Sequence, residues 1–262
     1  VDINVNSFTF KSINTRGFAT FSNTRFIQLV DGMDNSAPAL NFPLGNLLGM
    51  VETDVLDVEL VPGTSSALYG ANAFNGILLM RSKNPFDHQG ISGQYKRGVT
   101  SQIAAGDNEF QDVQIRWGHK FSDKLAMKVN FGYLLGTDWI ANSEEDKLNR
   151  ALYAGDYNHD GINIYGDEVA INIYSVAQQM VGLGLLPAGG EALVPSTTVS
   201  RTGYNETAMS DGVAKSKKAD WGIYYRPIEG SNLEISYIGK WGGGQTLFQG
   251  INRYSIKNFT MN

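Results

Sequence analysis

Leu125-Ala-Met-Lys-Val-Asn-Phe-Gly-Tyr133 alternates without a break: Leu125, Met127, Val129, Phe131 and Tyr133 are apolar, while Ala126, Lys128, Asn130 and Gly132 are small or polar. Successive side chains of an extended chain point to opposite faces, so this stretch is a strand with one apolar and one polar face. Val113, Ile115 and Trp117 alternate in the same way with Asp112, Gln114, Arg116 and Gly118, and the short segment 119–124 joins the two strands into a hairpin. A second hairpin repeats the design. Trp221-Gly-Ile-Tyr-Tyr225 precedes the turn Pro227-Ile-Glu-Gly-Ser231, after which Leu233, Ile235, Tyr237 and Trp241 alternate with Glu234, Ser236, Ile238 and Lys240.

Such an apolar face meets either a second sheet or lipid. The connections separate the two cases: 119–124 and 227–232 are short, whereas the segment 137–215 is long. Short turns at one end and a long loop at the other match outer-membrane barrels, and a compact soluble domain rarely carries so long an insertion. No run of 18 apolar residues is present, so no transmembrane helix is expected. With 30 Gly among 262 residues, 12 Tyr and 13 Phe, the composition suits a turn-rich β protein.

Residues 1–86 read differently. Phe26-Ile-Gln-Leu-Val30 runs into Asp31-Gly32, a strand meeting a tight turn, and Val55-Leu-Asp-Val-Glu-Leu-Val61 stops at Pro62-Gly63. Thr64-Ser-Ser-Ala-Leu-Tyr-Gly70 reads as a capped helical turn closed by Gly70, and Gly76-Ile-Leu-Leu-Met80 as a third strand. This is a small α+β unit.

The net charge of −5 and pI near 5.2 leave no basic stripe for phosphates, so nucleic acid is not an expected partner. The absence of Cys removes disulfides, thiolate catalysis and Cys-ligated zinc. His88, His119 and His159 are scattered, no Gly-x-Ser-x-Gly elbow occurs, and Gly70-Ala-Asn-Ala-Phe-Asn-Gly76 lacks the Lys-Ser/Thr ending of a phosphate loop. No catalytic residues are assigned and an enzyme is not expected.

One metal signal stands out. In Asp156-Tyr-Asn158-His-Asp160-Gly161-Ile162-Asn-Ile-Tyr-Gly-Asp167, oxygen ligands fall at positions 1, 3, 5 and 12 of a twelve-residue loop, with Gly at position 6 and the Ile162 carbonyl at position 7. That spacing suits a structural Ca²⁺ held by Asp156, Asn158, Asp160, Ile162 and Asp167. Asp167 stands where Glu is usual, and Glu168 follows it. Val169, Ile173, Val176, Met180 and Leu183 then recur at helical spacing, which predicts a helix from Asp167 to about Leu186.

Thr15-Arg16-Gly17-Phe18, Arg25-Phe-Ile-Gln-Leu-Val-Asp31-Gly32 and Val58-Glu-Leu-Val-Pro-Gly-Thr-Ser-Ser66-Ala67-Leu68-Tyr69-Gly70, continuing to Gly76-Ile77, resemble in order and spacing the plug domain of TonB-dependent outer-membrane receptors. The flavour is that of Bacteroidetes-type receptors. Val61-Pro62-Gly63 lacks the Arg common before that Gly-Pro element, and Leu78-Leu-Met80 replaces the usual Asn-Ile, which leaves the plug–barrel salt-bridge pattern open. The resemblance implies an α+β plug over 1–86 followed over 87–262 by the N-terminal strands of a transmembrane antiparallel β-barrel, with 137–215 an extracellular loop and 22 strands in the whole protein. About six of those strands fit in this chain, which reads as a piece cut at both ends, without the energy-coupling box of the family. Charges such as Arg16, Arg25 and Glu59 are expected to face groups of the barrel wall.

The resemblance further implies a receptor in the outer membrane of a Gram-negative bacterium that imports a nutrient with energy from the inner-membrane TonB complex. Outer-membrane lipid, a nutrient of unknown class and a surface lipoprotein lid are its implied partners. The alternative is a non-transporting structural or interaction protein on the same fold.

Overall fold

The computed structural model describes all residues except Val1, Arg16, 18–22, 38–41, Leu44, Leu48, 64–65, Ala71, Ala154, 250–252 and Asn262. The chain divides into two compact units, one of Val1–Trp139 with Gly212–Asn262 and one of Ile140–Asp211.

The first unit begins with a short hairpin, β1 (Asp2–Val5) with β2 (Lys11–Asn14). A four-stranded sheet follows, built from β3 (Phe26–Val30), β4 (Met33–Asp34), β5 (Val55–Pro62) and β6 (Gly76–Ser82) in the order β4-β3-β6-β5. Asp31 and Gly32 both have positive φ, 50° and 83°, which is the turn geometry that lets β3 fold back on β4 in two residues. β3 and β6 run parallel, and the crossover between them carries the single turn α1 (Ser66–Tyr69), closed by Gly70 at φ 94°. Ile27, Ala73 and Ile77 bury together beneath this crossover, with Leu29, Val61 and Leu79 packed against them. Arg16 lies outside the described residues, and of Ser66 and Ala67 only the backbone is described. The described part of the α+β reading is seen as a small mixed sheet with one helical turn.

From Gly90 the chain forms one antiparallel sheet. Its first strands are β7 (Gly90–Gln102), β8 (Gly106–Ser122) and β9 (Leu125–Thr137). The second unit then intervenes with β10 (Ile164–Tyr165), β11 (Ala170–Asn172), α2 (Ile173–Gly182), β12 (Thr198–Ser200), β13 (Tyr204–Asn205) and α3 (Glu206–Met209). The sheet resumes with β14 (Val213–Tyr225), β15 (Ile235–Gln249) and β16 (Arg253–Met261), giving the order β16-β15-β14-β9-β8-β7. β9 and β14 pair from Thr137↔Val213 to Leu125↔Tyr225, so the whole 138–212 segment leaves and returns at one end of one strand pair.

Burial in this sheet is inverted relative to a soluble one. Along β9 the apolar side chains are the exposed ones, Val129 at 39% and Phe131 at 44%, while Lys128 and Asn130 are 2% and 1% exposed. β14 repeats the inversion, with Ile223 exposed and Ser216, Lys218 and Asp220 buried. A sheet folding in water would cover the apolar face first; an apolar face left bare opposite a covered, charged face is the pattern of a sheet that meets lipid. Small residues make room on the polar face. Val51 lies over Gly132 and Leu47 over Gly244, where a β-carbon would sit 3.5 Å and 2.9 Å from their methyl groups. No described helix is long and apolar enough to cross a membrane.

The helix expected from Asp167 is shorter than its apolar spacing. Asn172 caps it by accepting a hydrogen bond from the Tyr174 amide at 2.9 Å, and Ala170–Asn172 pairs as a strand with Thr198–Ser200 instead. An Asn side chain that satisfies a first-turn amide outweighs the weak propensity of one more turn.

Candidate functional site

Three places bring polar side chains together: the contact between the mixed sheet and the polar face of the large sheet, a cavity at one end of that sheet, and the loop 156–167.

The first is centred on Asp54, at the end of the short turn Glu52–Asp54. Its carboxylate accepts from Arg116 Nε at 2.7 Å and from Lys128 Nζ at 2.7 Å, and all three side chains are 3% exposed or less. Arg116 also donates to the His88 carbonyl at 2.9 Å, and Lys128 donates to Ser82 Oγ at 2.6 Å. Ser82 in turn donates from Oγ to Asp31 Oδ2 at 2.7 Å and from its amide to Asp31 Oδ1 at 2.8 Å. The Asp31-Gly32 turn is thus wired through Ser82 to a lysine of the large sheet. Two flanking contacts widen this seam: the Glu52 amide donates to Gln114 Oε1 at 2.8 Å, and Asn84 Nδ2 donates to Glu234 Oε1 at 3.0 Å. Glu234 also pairs with Arg226, whose guanidinium lies 4.0 Å from the Phe86 ring centroid. Arg25 and Glu59, read as charges that would face the wall, are exposed, and Arg25 lies over the Phe74 ring. The acid that does so, Asp54, carries no motif; its signal is that Arg116 and Lys128 share the polar face of the sheet and demand a counter-charge.

Along the same face, Arg116 pairs in register with Asn130, Asn130 with Asp220, and Asp220 with Lys240. Among the described residues, both side-chain polar atoms of Asn130 and Oδ2 of Asp220 are buried without a hydrogen-bond partner.

The cavity lies at the end of β8 and β9 remote from the 123–124 turn, where the long insertion departs. It measures about 480 Å³ and is lined by Phe8, Lys11, Thr100, Gln102 and Trp139, among others. Phe8 stacks on Phe110 with centroids 5.0 Å apart and planes 4° apart, and its amide lies 3.4 Å from Asp138 Oδ2. The loop between β1 and β2 is anchored beside it by Ser7 Oγ against Thr246 Oγ1 at 3.0 Å and by the contact of Thr9 with Thr246. An aromatic floor with an ammonium and amide groups at its rim suits a solute with one apolar face and several hydrogen-bonding groups.

In the second unit the proposed ion ligands are spread. Asp156 Oδ2 accepts from the Tyr153 amide at 2.7 Å, Asn158 Oδ1 from Ser200 Oγ at 3.1 Å, and Asp167 Oδ2 from the Gly161 amide at 2.8 Å. Asp160 pairs with Lys147 at 2.9 Å, and Lys147 reaches Glu168 at 3.1 Å. Asp146, which the motif did not include, is held by Arg150 Nη2 at 2.6 Å. Among the described residues no three of His, Asp and Glu converge closely enough to hold an ion.

Comparison with protein-family models and with curated proteins finds no match. Among solved structures, the chain is similar to a ferric enterobactin receptor mutant of Pseudomonas aeruginosa in complex with enterobactin, at 15% identity and TM-score 0.47, over 93% of this chain and 29% of that one. It is similar to the ferric yersiniabactin uptake receptor of Yersinia pestis at 13% identity and TM-score 0.42, over 95% of this chain and 38% of that one. It is similar to the siderophore receptor PirA of Acinetobacter baumannii at 12% identity and TM-score 0.28, over 95% and 41%. The chain thus spans less than half the length of each of these receptors. Among the described residues, the chain presents a small mixed sheet fastened to the polar face of an inside-out antiparallel sheet.

Proposed function

We propose that this chain is the plug and first barrel strands of an outer-membrane receptor that binds a nutrient at the cell surface and imports it by TonB-dependent transport. The observation that carries the reading is the inverted sheet, apolar outward and charged inward, with a small domain fastened to its charged face by ions and hydrogen bonds. Polar fastening suits a plug that must be moved by pulling, because water replaces a broken hydrogen bond at little net cost, whereas separated apolar surfaces pay their full area.

Phe8, Lys11, Gln102 and Trp139 are the residues this reading gives to the nutrient, as one wall of a site that further loops would complete. The inner-membrane TonB complex as energy source and a surface lipoprotein lid as partner rest on the sequence motifs alone, as do the Bacteroidetes flavour and the total of 22 strands. The outer membrane of a Gram-negative cell is the location. Uptake assays test the whole: import that stops on collapse of the proton-motive force, and on Trp139→Ala with Lys11→Ala, is the expected result. Uptake indifferent to both would hand the fold to the non-transporting alternative.

A further inference from the structure

The loop 156–167 offers a site for which the transport reading gives no role. Asp167 is 2% exposed; its Oδ2 accepts from the Gly161 amide, and its Oδ1 is buried with no hydrogen-bond partner among the described residues. A buried carboxylate oxygen without a donor is costly, and a cation is what removes that cost. Asp167 and Asp156 line one cavity of about 390 Å³, together with Glu144, His159, Arg201 and Asn205. Gly161, at the sixth position, turns with Ile164 Cγ1 only 2.6 Å from where a β-carbon would be. A larger residue there would have to displace the Ile164 and His159 side chains.

We propose that residues 156–167 bind a Ca²⁺-type divalent cation through Asp156, Asn158, Asp160, the Ile162 carbonyl and Asp167, and that the Lys147 ammonium holds Asp160 when the ion is absent. The exchange is one of cations. Lys147 sits 2.9 Å from Asp160 Oδ1 with Glu168 as its second partner at 3.1 Å, so it has a carboxylate to keep when the ion takes Asp160. Asp156 is exposed, and among the described residues only its Oδ2 is engaged, by the Tyr153 amide at 2.7 Å, a contact that would have to yield as the carboxylate is drawn inward. The bound ion would neutralise three carboxylates, and it would fix a long loop whose ordering is otherwise costly in chain entropy.

The test is titration of the purified protein in detergent micelles with Ca²⁺ alone by calorimetry, and with Tb³⁺ read by luminescence excited through Tyr157 and Tyr165. One saturable site is expected, with Kd on the order of 10⁻⁴–10⁻³ M as in extracellular modules, from which Ca²⁺ displaces Tb³⁺ and equal Mg²⁺ does not. Asp156→Asn with Asp167→Asn should weaken binding at least tenfold. Lys147→Gln should tighten it several-fold by removing the competitor, and this second variant keeps the proposal testable should the first fail to fold. Absence of saturable binding in the parent protein, or a folded double variant that binds as the parent does, overturns the site. Unchanged or weaker binding in Lys147→Gln overturns the exchange.

Discussion

Asp54 and Arg116 are joined at 2.7 Å with both side chains almost wholly out of water, and they belong to opposite sides of the contact between the small mixed-sheet unit and the large sheet. Removing the acid therefore strands two buried cations, since Lys128 loses the same carboxylate. On the proposed reading, Asp54→Ala is expected to cost about 3–5 kcal/mol of the seating of the N-terminal unit on the sheet, read as faster proteolysis of the segment before β7 in the membrane-inserted protein. Lys128→Met should cost clearly less, because Arg116 keeps Asp54 and the His88 carbonyl. Equal effects of the two substitutions would mean that Asp54 is not the hub.

The proposal that the apolar face meets lipid gives a second expectation. Val129 and Lys128 are neighbours, one outward and one inward, so a lysine moved by a single residue crosses from a paired site to hydrocarbon. Val129→Lys should destabilise the barrel by about 2–4 kcal/mol if the position lies near the bilayer midplane, measured by urea unfolding in lipid vesicles. An effect within experimental error would mean that this face does not meet lipid.

Much of this arrangement was legible in the sequence because period-2 alternation is a local property: Leu125 to Tyr133 states its two faces without reference to any partner. The Asp31-Gly32 turn and the Gly70 closure were legible for the same reason, since positive φ at Gly is a demand of the turn itself. What alternation does not state is what lies against each face. Asp54 sits in an undistinguished Val51-Glu-Thr-Asp54 stretch, and its role comes from contacts with residues 62 and 74 positions later. Asp146 was missed likewise, because its partners Arg150 and Asp160 gather around it only once the loop has folded. The overlong helix has a nearer cause: apolar spacing continued through Val169 although Asn172, read as an ordinary helical position, is the cap.

Gly76 opens β6 at φ 149°, and a β-carbon there would meet the Phe26 ring and the Val61 carbonyl at 3.1 Å each. Gly76→Ala combines an unfavourable backbone with a crowded site and should cost roughly 1–3 kcal/mol. Hydrogen exchange of the amides in β3 and β6 should quicken. Gly70→Ala shares the positive φ but opens into empty space, so it serves as the milder comparison. A Gly76 variant no worse than the Gly70 variant would mean that crowding contributes nothing.

The Arg150 guanidinium holds the Asp146 carboxyl well below the usual carboxylate range, with help from the amides of Asp160, Arg150 and Leu148. A depressed value in the folded loop means that the stabilisation is fully present above the ordinary value of about 3.9 and is lost only as pH falls through the lower, folded value. The turns around 143–163 should accordingly stay closed at pH 4 and open only in stronger acid. Arg150→Gln removes the largest cause, so Asp146 should move back toward its ordinary value and the opening should shift up toward pH 4. Hydrogen exchange across 143–163 at stepped pH reads the shift, with the exchange of β8 and β9 as an internal control. Opening at the same pH in both proteins would mean that the Asp146–Arg150 pair does not hold the loop.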